Sequence, residues 1–276
     1  MKFQLKALVV ALALVVTAPA QAAINNPITG NGSLVLTVFD AANNISALFD
    51  LGFNYSDFSL GGTSFAPSNA LSANYTWDLT KNGLNNGIQG NYATAWSTFA
   101  ATANEAGASW AVVAGDNLGA GAGSRGYLST FTNNGFIDSF STQALVGALG
   151  NLKTYTDAAG VAPVQNHSTA LNGGSVSLIS TPGYYLPYYN ADKNANTGEI
   201  AIGAINSSLD FIQRTAGASA AVQATNIIYT GAKFTLTSAG QLNYTTLAAP
   251  IPEADTWAMM LLGLGFMGFV ARRKQA

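Results

Sequence analysis

The chain has 276 residues, of which 49% are hydrophobic and only 9% charged, against roughly 25% charged in an ordinary soluble domain; that much apolar surface excludes intrinsic disorder. A net charge of −2 excludes a basic nucleic-acid-binding face. The absence of Cys excludes disulfides, thiolate metal sites and thiol nucleophiles, and a single His excludes a multi-His metal centre.

The N-terminus has the three parts of a secretory signal. Lys2 and Lys6 supply positive charge, Ala7 to Val16 is an apolar run, and Ala20-Gln21-Ala22 offers small side chains to signal peptidase after the helix breaker Pro19. The run is too short for an ordinary membrane span. Residues 1–22 are therefore expected to be removed, leaving Ala23 as the first residue; the competing reading is a short buried helix.

Strand signals dominate the body of the chain. Leu34–Asp40 and Ile45–Leu51 are apolar and β-branched, and the Asn43-Asn44 pair between them suits a hairpin turn. Further strands are expected at Tyr75–Leu79, Ser109–Ala114, Tyr127–Thr132, Ser175–Ile179, Ser208–Arg214, Asn226–Tyr229, Lys233–Thr237 and Gln241–Leu247. The last two alternate apolar and polar residues across a Ser238-Ala239-Gly240 turn. Two segments have helical spacing instead: Ala93–Ala106 with Trp96, Phe99 and Ala103, and a helix capped by Ser139 or Ser141 carrying Leu145, Leu149 and Leu152. Gly119–Gly126 and Asn166–Gly174 read as surface loops. The expectation is a mainly β, antiparallel, sandwich-like single domain over residues 23–250 with one or two short helices. Its six Lys/Arg against eleven Asp/Glu give it a net charge of −5, unsuited to polyanions.

Residues 251–276 form a second terminal pattern. Ile251-Pro252-Glu253-Ala254 precedes an apolar stretch from Trp257 to Val270 and a basic cluster, Arg272-Arg273-Lys274. From Trp257 to Ala271 is 15 residues, about 22 Å as a helix and short of the ~20 residues of a full span, so it reads as a marginal membrane anchor with its basic end cytoplasmic. The order of these parts resembles the PEP-CTERM sorting signal of exported Gram-negative bacterial proteins. Pro252 and Glu253 fit its motif, Ala254 stands where a second Pro is usual, and Trp257-Ala258-Met259, the Gly-Leu-Gly core, Arg272 and Arg273 fit the remainder. The resemblance implies processing by a membrane-embedded exosortase, after transient anchoring in the inner membrane, and delivery to the cell surface or beyond. A plain single-helix anchor shares the same hydropathy. The stretch Leu34–Phe58, with Trp96, Phe99 and Trp110–Asp116, also resembles the opening of an uncharacterised group of PEP-CTERM proteins, which implies no activity.

The candidate chemistry in the body has plain alternatives. Gly121, Gly123 and Gly126 match G-x-G-x-x-G, but a strand pattern comes next where a dinucleotide site needs a helix. Asp192–Glu199 resembles half a calcium loop, with Thr197 at the position that needs Gly and Gly203 at that of the bidentate Glu. His167 sits in a polar loop with no nucleophile elbow in the chain. Asp40, Asp50, Asp57, Asp78 and Asp116 could supply a hydrolase pair, though their spacing selects none. Tyr184, Tyr185, Tyr188 and Tyr189 form an aromatic patch that could stack on a saccharide or pack as a Pro-containing loop. No catalytic residue, metal or cofactor is assigned. The expected function is a non-enzymatic exported surface or matrix protein, structural or adhesive in biofilm or exopolysaccharide; the alternatives are a carbohydrate-binding module and a secreted carboxylate-dependent hydrolase.

Overall fold

The computed structural model describes residues 24–60, 73–85, 88–132, 141–159, 164–165, 172–181, 183–185 and 202–246. They belong to a compact unit, Met1–Thr246, distinct from a second unit, Leu247–Ala276, which lies outside the described residues.

After a 3₁₀ turn at Pro27–Thr29 the chain forms β1 (Ser33–Asp40) and β2 (Ile45–Asn54), a hairpin closed through Asn44, whose φ of 55° places it in the left-handed region that Asn tolerates. A single turn, α1 (Tyr55–Phe58), comes next; the Asn54 amide donates to the Asp57 carboxylate at 2.8 Å and starts it. Then come β3 (Tyr75–Asp78), β4 (Asn82–Asn85), β5 (Ile88–Asn91), α2 (Ala93–Thr102), β6 (Ser109–Asp116), β7 (Gly126–Phe131) and α3 (Thr142–Ala159). The chain continues through β8 (Val164–Gln165), β9 (Asn172–Leu178), β10 (Gly203–Ala204), β11 (Ser208–Thr215), β12 (Thr225–Leu236) and β13 (Gln241–Thr245).

All thirteen strands share one sheet, ordered β3-β13-β12-β11-β7-β6-β1-β2-β9-β5-β4, with β10 added to β6 and β8 to β9. The pairing is antiparallel except for β5 with β9. The sheet curls until β3 faces β2 from the far side: the Trp77 indole N–H donates to the Leu51 carbonyl at 2.9 Å, and Phe53 meets Tyr75 with ring centroids 4.8 Å apart. The mainly β expectation holds, and the two faces of the expected sandwich are two halves of a single curled sheet.

The central strands are buried on both faces, which explains why β1 and β6 read as apolar runs. Leu34, Leu36 and Val38 of β1, Phe49 and Leu51 of β2 and Trp110 and Val112 of β6 point into an aromatic-rich concave core. Val35, Phe39, Leu48, Ala111 and Val113 point the other way, under α3. That helix contributes Leu145, Leu149, Leu152 and Tyr155, each 1% exposed or less, and burial stabilises each such Leu by roughly 1.5–3 kcal/mol. Glycine permits the close seating of both longer helices. A Cβ on Gly115 of β6 would fall 2.4 Å from Leu149, and one on Gly174 of β9 would fall 2.6 Å from Ala95 of α2. By contrast β12 and β13 keep one face towards solvent, so Phe234, Leu236, Leu242 and Tyr244 are buried between polar neighbours.

Three expectations change in detail. The segments 226–229 and 233–237 are one strand, β12, which passes through a bulge opposite Asp210 and Ile212. The last residues of the expected loop 166–174 belong to β9, from Asn172 onward. The first helix ends at Thr102 rather than Ala106, since Asn104 turns back to donate its amide to the Asp40 carboxylate at 2.7 Å.

Candidate functional site

Two regions bear on function: the junctions between body and terminal segments, and the polar and aromatic groups of the body. At the N-terminal junction Ile24 packs against the core beneath α3. Asn25 exchanges bonds with Ser33, its amide donating to the hydroxyl at 3.0 Å and its carbonyl accepting from the Ser33 amide at 2.9 Å. Asn26 caps the 3₁₀ turn and donates its side-chain amide to Asp157 of α3. At the other junction β13 lies inside the sheet, between β12 and β3, and the Thr246 amide donates to the Asn74 side chain at 3.0 Å. Ala20, Ala22, Pro252, Glu253, Arg272 and Arg273 lie outside the described residues.

Within the body, each of the five carboxylates considered for hydrolysis is engaged by its own neighbourhood. Asp40, fully buried, accepts from the amides of Ala42, Asn43 and Asn104 and from the Asn43 side chain. Burial pushes its pKa up and these hydrogen bonds outweigh that, leaving it below the usual carboxylate value. Asp50 is buried with fewer donors, the Gly52 amide and the Ser33 hydroxyl, so burial prevails and raises its pKa to about 6. Asp57 starts α1. Asp78 pairs with Lys81 at 2.7 Å and accepts from Thr80, and Asp116 accepts the Leu118 amide at 2.8 Å. The local contacts close turns, the Ser33–Asp50 and Asn104–Asp40 bonds join separate segments, and no donor among these bonds serves two of the carboxylates.

The aromatic patch divides. Tyr185 stacks on Phe39 with ring centroids 3.8 Å apart, and Tyr184 meets Tyr185 edge-on at 5.2 Å. The two are 1% and 2% exposed respectively, so their faces serve the core beneath α3 and are not presented to a sugar. Tyr188 and Tyr189 lie outside the described residues, as do His167 and Asp192–Glu199. Of the Gly-rich motif, Gly126 opens β7, so the loop leads into a strand as its sequence indicates.

Sequence reasoning missed two polar features. Gln213 of β11, fully buried, donates to the Tyr55 hydroxyl at 2.9 Å and accepts from the Tyr229 hydroxyl and the Leu60 amide, both at 2.7 Å. Arg125, in the Gly-rich loop, lines a cavity at the start of α3. Both depend on contacts between segments remote in sequence; a lone Gln amid the apolar and β-branched residues of a strand was the one signal available for the first.

Comparison with known proteins decides the meaning of the tail. The PEP-CTERM protein-sorting motif matches residues 250–274. The chain carries a PEP-CTERM sorting signal. A protein with this signal is exported and sorted by an exosortase, and the match includes Pro252, Glu253, Arg272 and Arg273. No curated protein and no solved structure matches the chain, so the sorting signal speaks for destination and leaves the chemistry of the β body to its own residues. Among the described residues, no helix is long and apolar enough to cross a membrane.

Proposed function

We propose that this protein is a non-enzymatic component of the cell surface or extracellular matrix, structural or adhesive among exopolysaccharide. In this reading signal peptidase removes residues 1–22, and the C-terminal stretch holds the chain in the inner membrane until an exosortase-like enzyme cuts near Pro252-Glu253. The observation that carries the proposal is the sorting motif at residues 250–274. The low charge of the body adds support: a surface rich in Asn, Ser, Thr and Gly can meet neutral glycan hydroxyls through hydrogen bonds without the desolvation cost of many ions.

A matrix-association assay tests the role. Cells expressing the full chain are expected to retain the processed body in the exopolysaccharide fraction. Glycosidase treatment of that fraction should release it. Free diffusion of the processed body into the medium, with untreated matrix present, contradicts the proposal.

A further inference from the structure

We propose that the cavity enclosed by the β6–β7 loop, the β11–β12 turn and the start of α3 binds a carboxylate group, with the Arg125 guanidinium as its anchor. The cavity measures about 120 Å³, and Ala120, Gly121, Arg125, Thr142, Gln143 and Ser219 are among the residues lining it. Arg125 is fixed in place by its backbone: its carbonyl accepts the Ala216 amide at 2.9 Å, and the nearby Gly123 amide donates to the Ala216 carbonyl at 2.8 Å. The side chain is half-buried and lines the cavity. Lys81, Lys153 and Lys233 each have a carboxylate partner, in Asp78, Asp157 and Asp210; Arg125 forms no ion pair among the described residues.

The site's chemistry selects the ligand class. A single cation matches a monoanion. The planar guanidinium fork matches the two oxygens of a carboxylate. The volume leaves room for a carboxylate and the carbon bearing it. Ala120, Gly121, Gln143 and Ser219 are exposed around the mouth, so the rest of a ligand can remain outside.

Two further donors are in place. The Thr142 hydroxyl oxygen accepts from the Gly217 amide at 2.8 Å, which leaves its own proton to donate, and the Gln143 side chain stands at the rim. The first-turn amides of α3 are already used: Thr142 donates to Val222, Gln143 to Ala220 and Ala144 to the Ser141 hydroxyl. Side chains therefore perform the recognition, and the helix adds only its favourable field for an anion. The inference does not depend on the matrix role proposed above.

The test is an NMR titration of the full chain in mild detergent, following the backbone amide resonances of Gly121, Thr142 and Gly217, which line the cavity, at constant ionic strength. Acetate, glucuronate and sulfate are the probes. Acetate stands for a free small acid and glucuronate for a uronic-acid sugar. Saturable shifts with either carboxylate, at concentrations where sulfate gives none, are expected. Arg125→Gln should weaken binding about tenfold or more, as loss of a charge-assisted hydrogen bond does. Should Arg125→Gln fail to fold, Gln143→Ala, at an exposed position, should still weaken binding several-fold. A response that does not saturate by tens of millimolar, a sulfate affinity equal to that for carboxylates, or undiminished binding by a folded variant each overturns the assignment.

Discussion

Replacing Asp50 by Asn should stabilise the protein near neutral pH, by an amount set by the position of this side chain. Asp50 is 3% exposed, and its carboxylate accepts from the Gly52 amide and the Ser33 hydroxyl, at 3.0 and 3.1 Å. No cation pairs with it among the described salt bridges. Burial raises its pKa from 3.8 to about 6, so the fold holds the proton more tightly than the unfolded chain does. The contribution of the neutral form is complete below pH 3.8 and is lost as pH rises towards about 6. At about 1.4 kcal/mol per pH unit the loss comes to about 3 kcal/mol. An Asn can accept from Gly52 and donate to Ser33, so Asp50→Asn keeps the local bonds and removes the ionisation. Urea unfolding at a series of pH values reads the outcome. Wild type and variant should be equally stable near pH 3.5, and the variant should be more stable by about 2–3 kcal/mol at pH 7. Working on the difference between the two proteins cancels the opposite contributions of Asp40 and Asp78, whose lowered pKa values cost stability as pH falls. A variant no more stable than wild type at pH 7 would refute the reasoning.

Packing sets the other expected outcomes. Gln213→Leu leaves the buried Tyr55 hydroxyl and the Leu60 amide without their partner, while the Tyr229 hydroxyl keeps the Phe58 carbonyl, and should destabilise by about 2–3 kcal/mol in urea unfolding; a neutral effect would mean the network is not formed. Gly147→Ala and Gly150→Ala, where an added Cβ meets nothing within 4 Å, should each raise stability by about 0.5–1 kcal/mol through helix propensity, visible as a higher Tm. Tyr185→Ala removes a ring stacked on Phe39 and should cost about 3 kcal/mol or more. Wild-type stability in that variant, with loss of glycan-array binding, would return Tyr185 to the role of a sugar platform.

The sequence was legible where each element's pattern arose from its own residues. The apolar runs of β1, β2 and β6, the alternation of β13 and the helical spacing of Leu145, Leu149 and Leu152 all report burial directly. By contrast β4 (Asn82–Asn85) and β5 (Ile88–Asn91) are built largely of Asn and Gly, which are depleted in strands. They form because they pair with each other and, for β5, with β9. The bulge in β12 hides among residues that look like a turn, Thr230-Gly231, the glycine at φ 85°. The C-terminal sorting signal was readable because a targeting segment acts as a linear pattern. The Arg125 cavity was not: it needs the β6–β7 loop, residues 216–220 and the start of α3 to meet, and only the curl of the sheet and the seat of α3 bring them together.

Intact-mass and terminal-peptide mass spectrometry of the protein released from the cell surface tests most directly whether both ends are processed. The expected chain begins at Ala23 and ends near Pro252–Ala254. A released form that still carries Arg272 and Arg273 would contradict removal of the sorting signal.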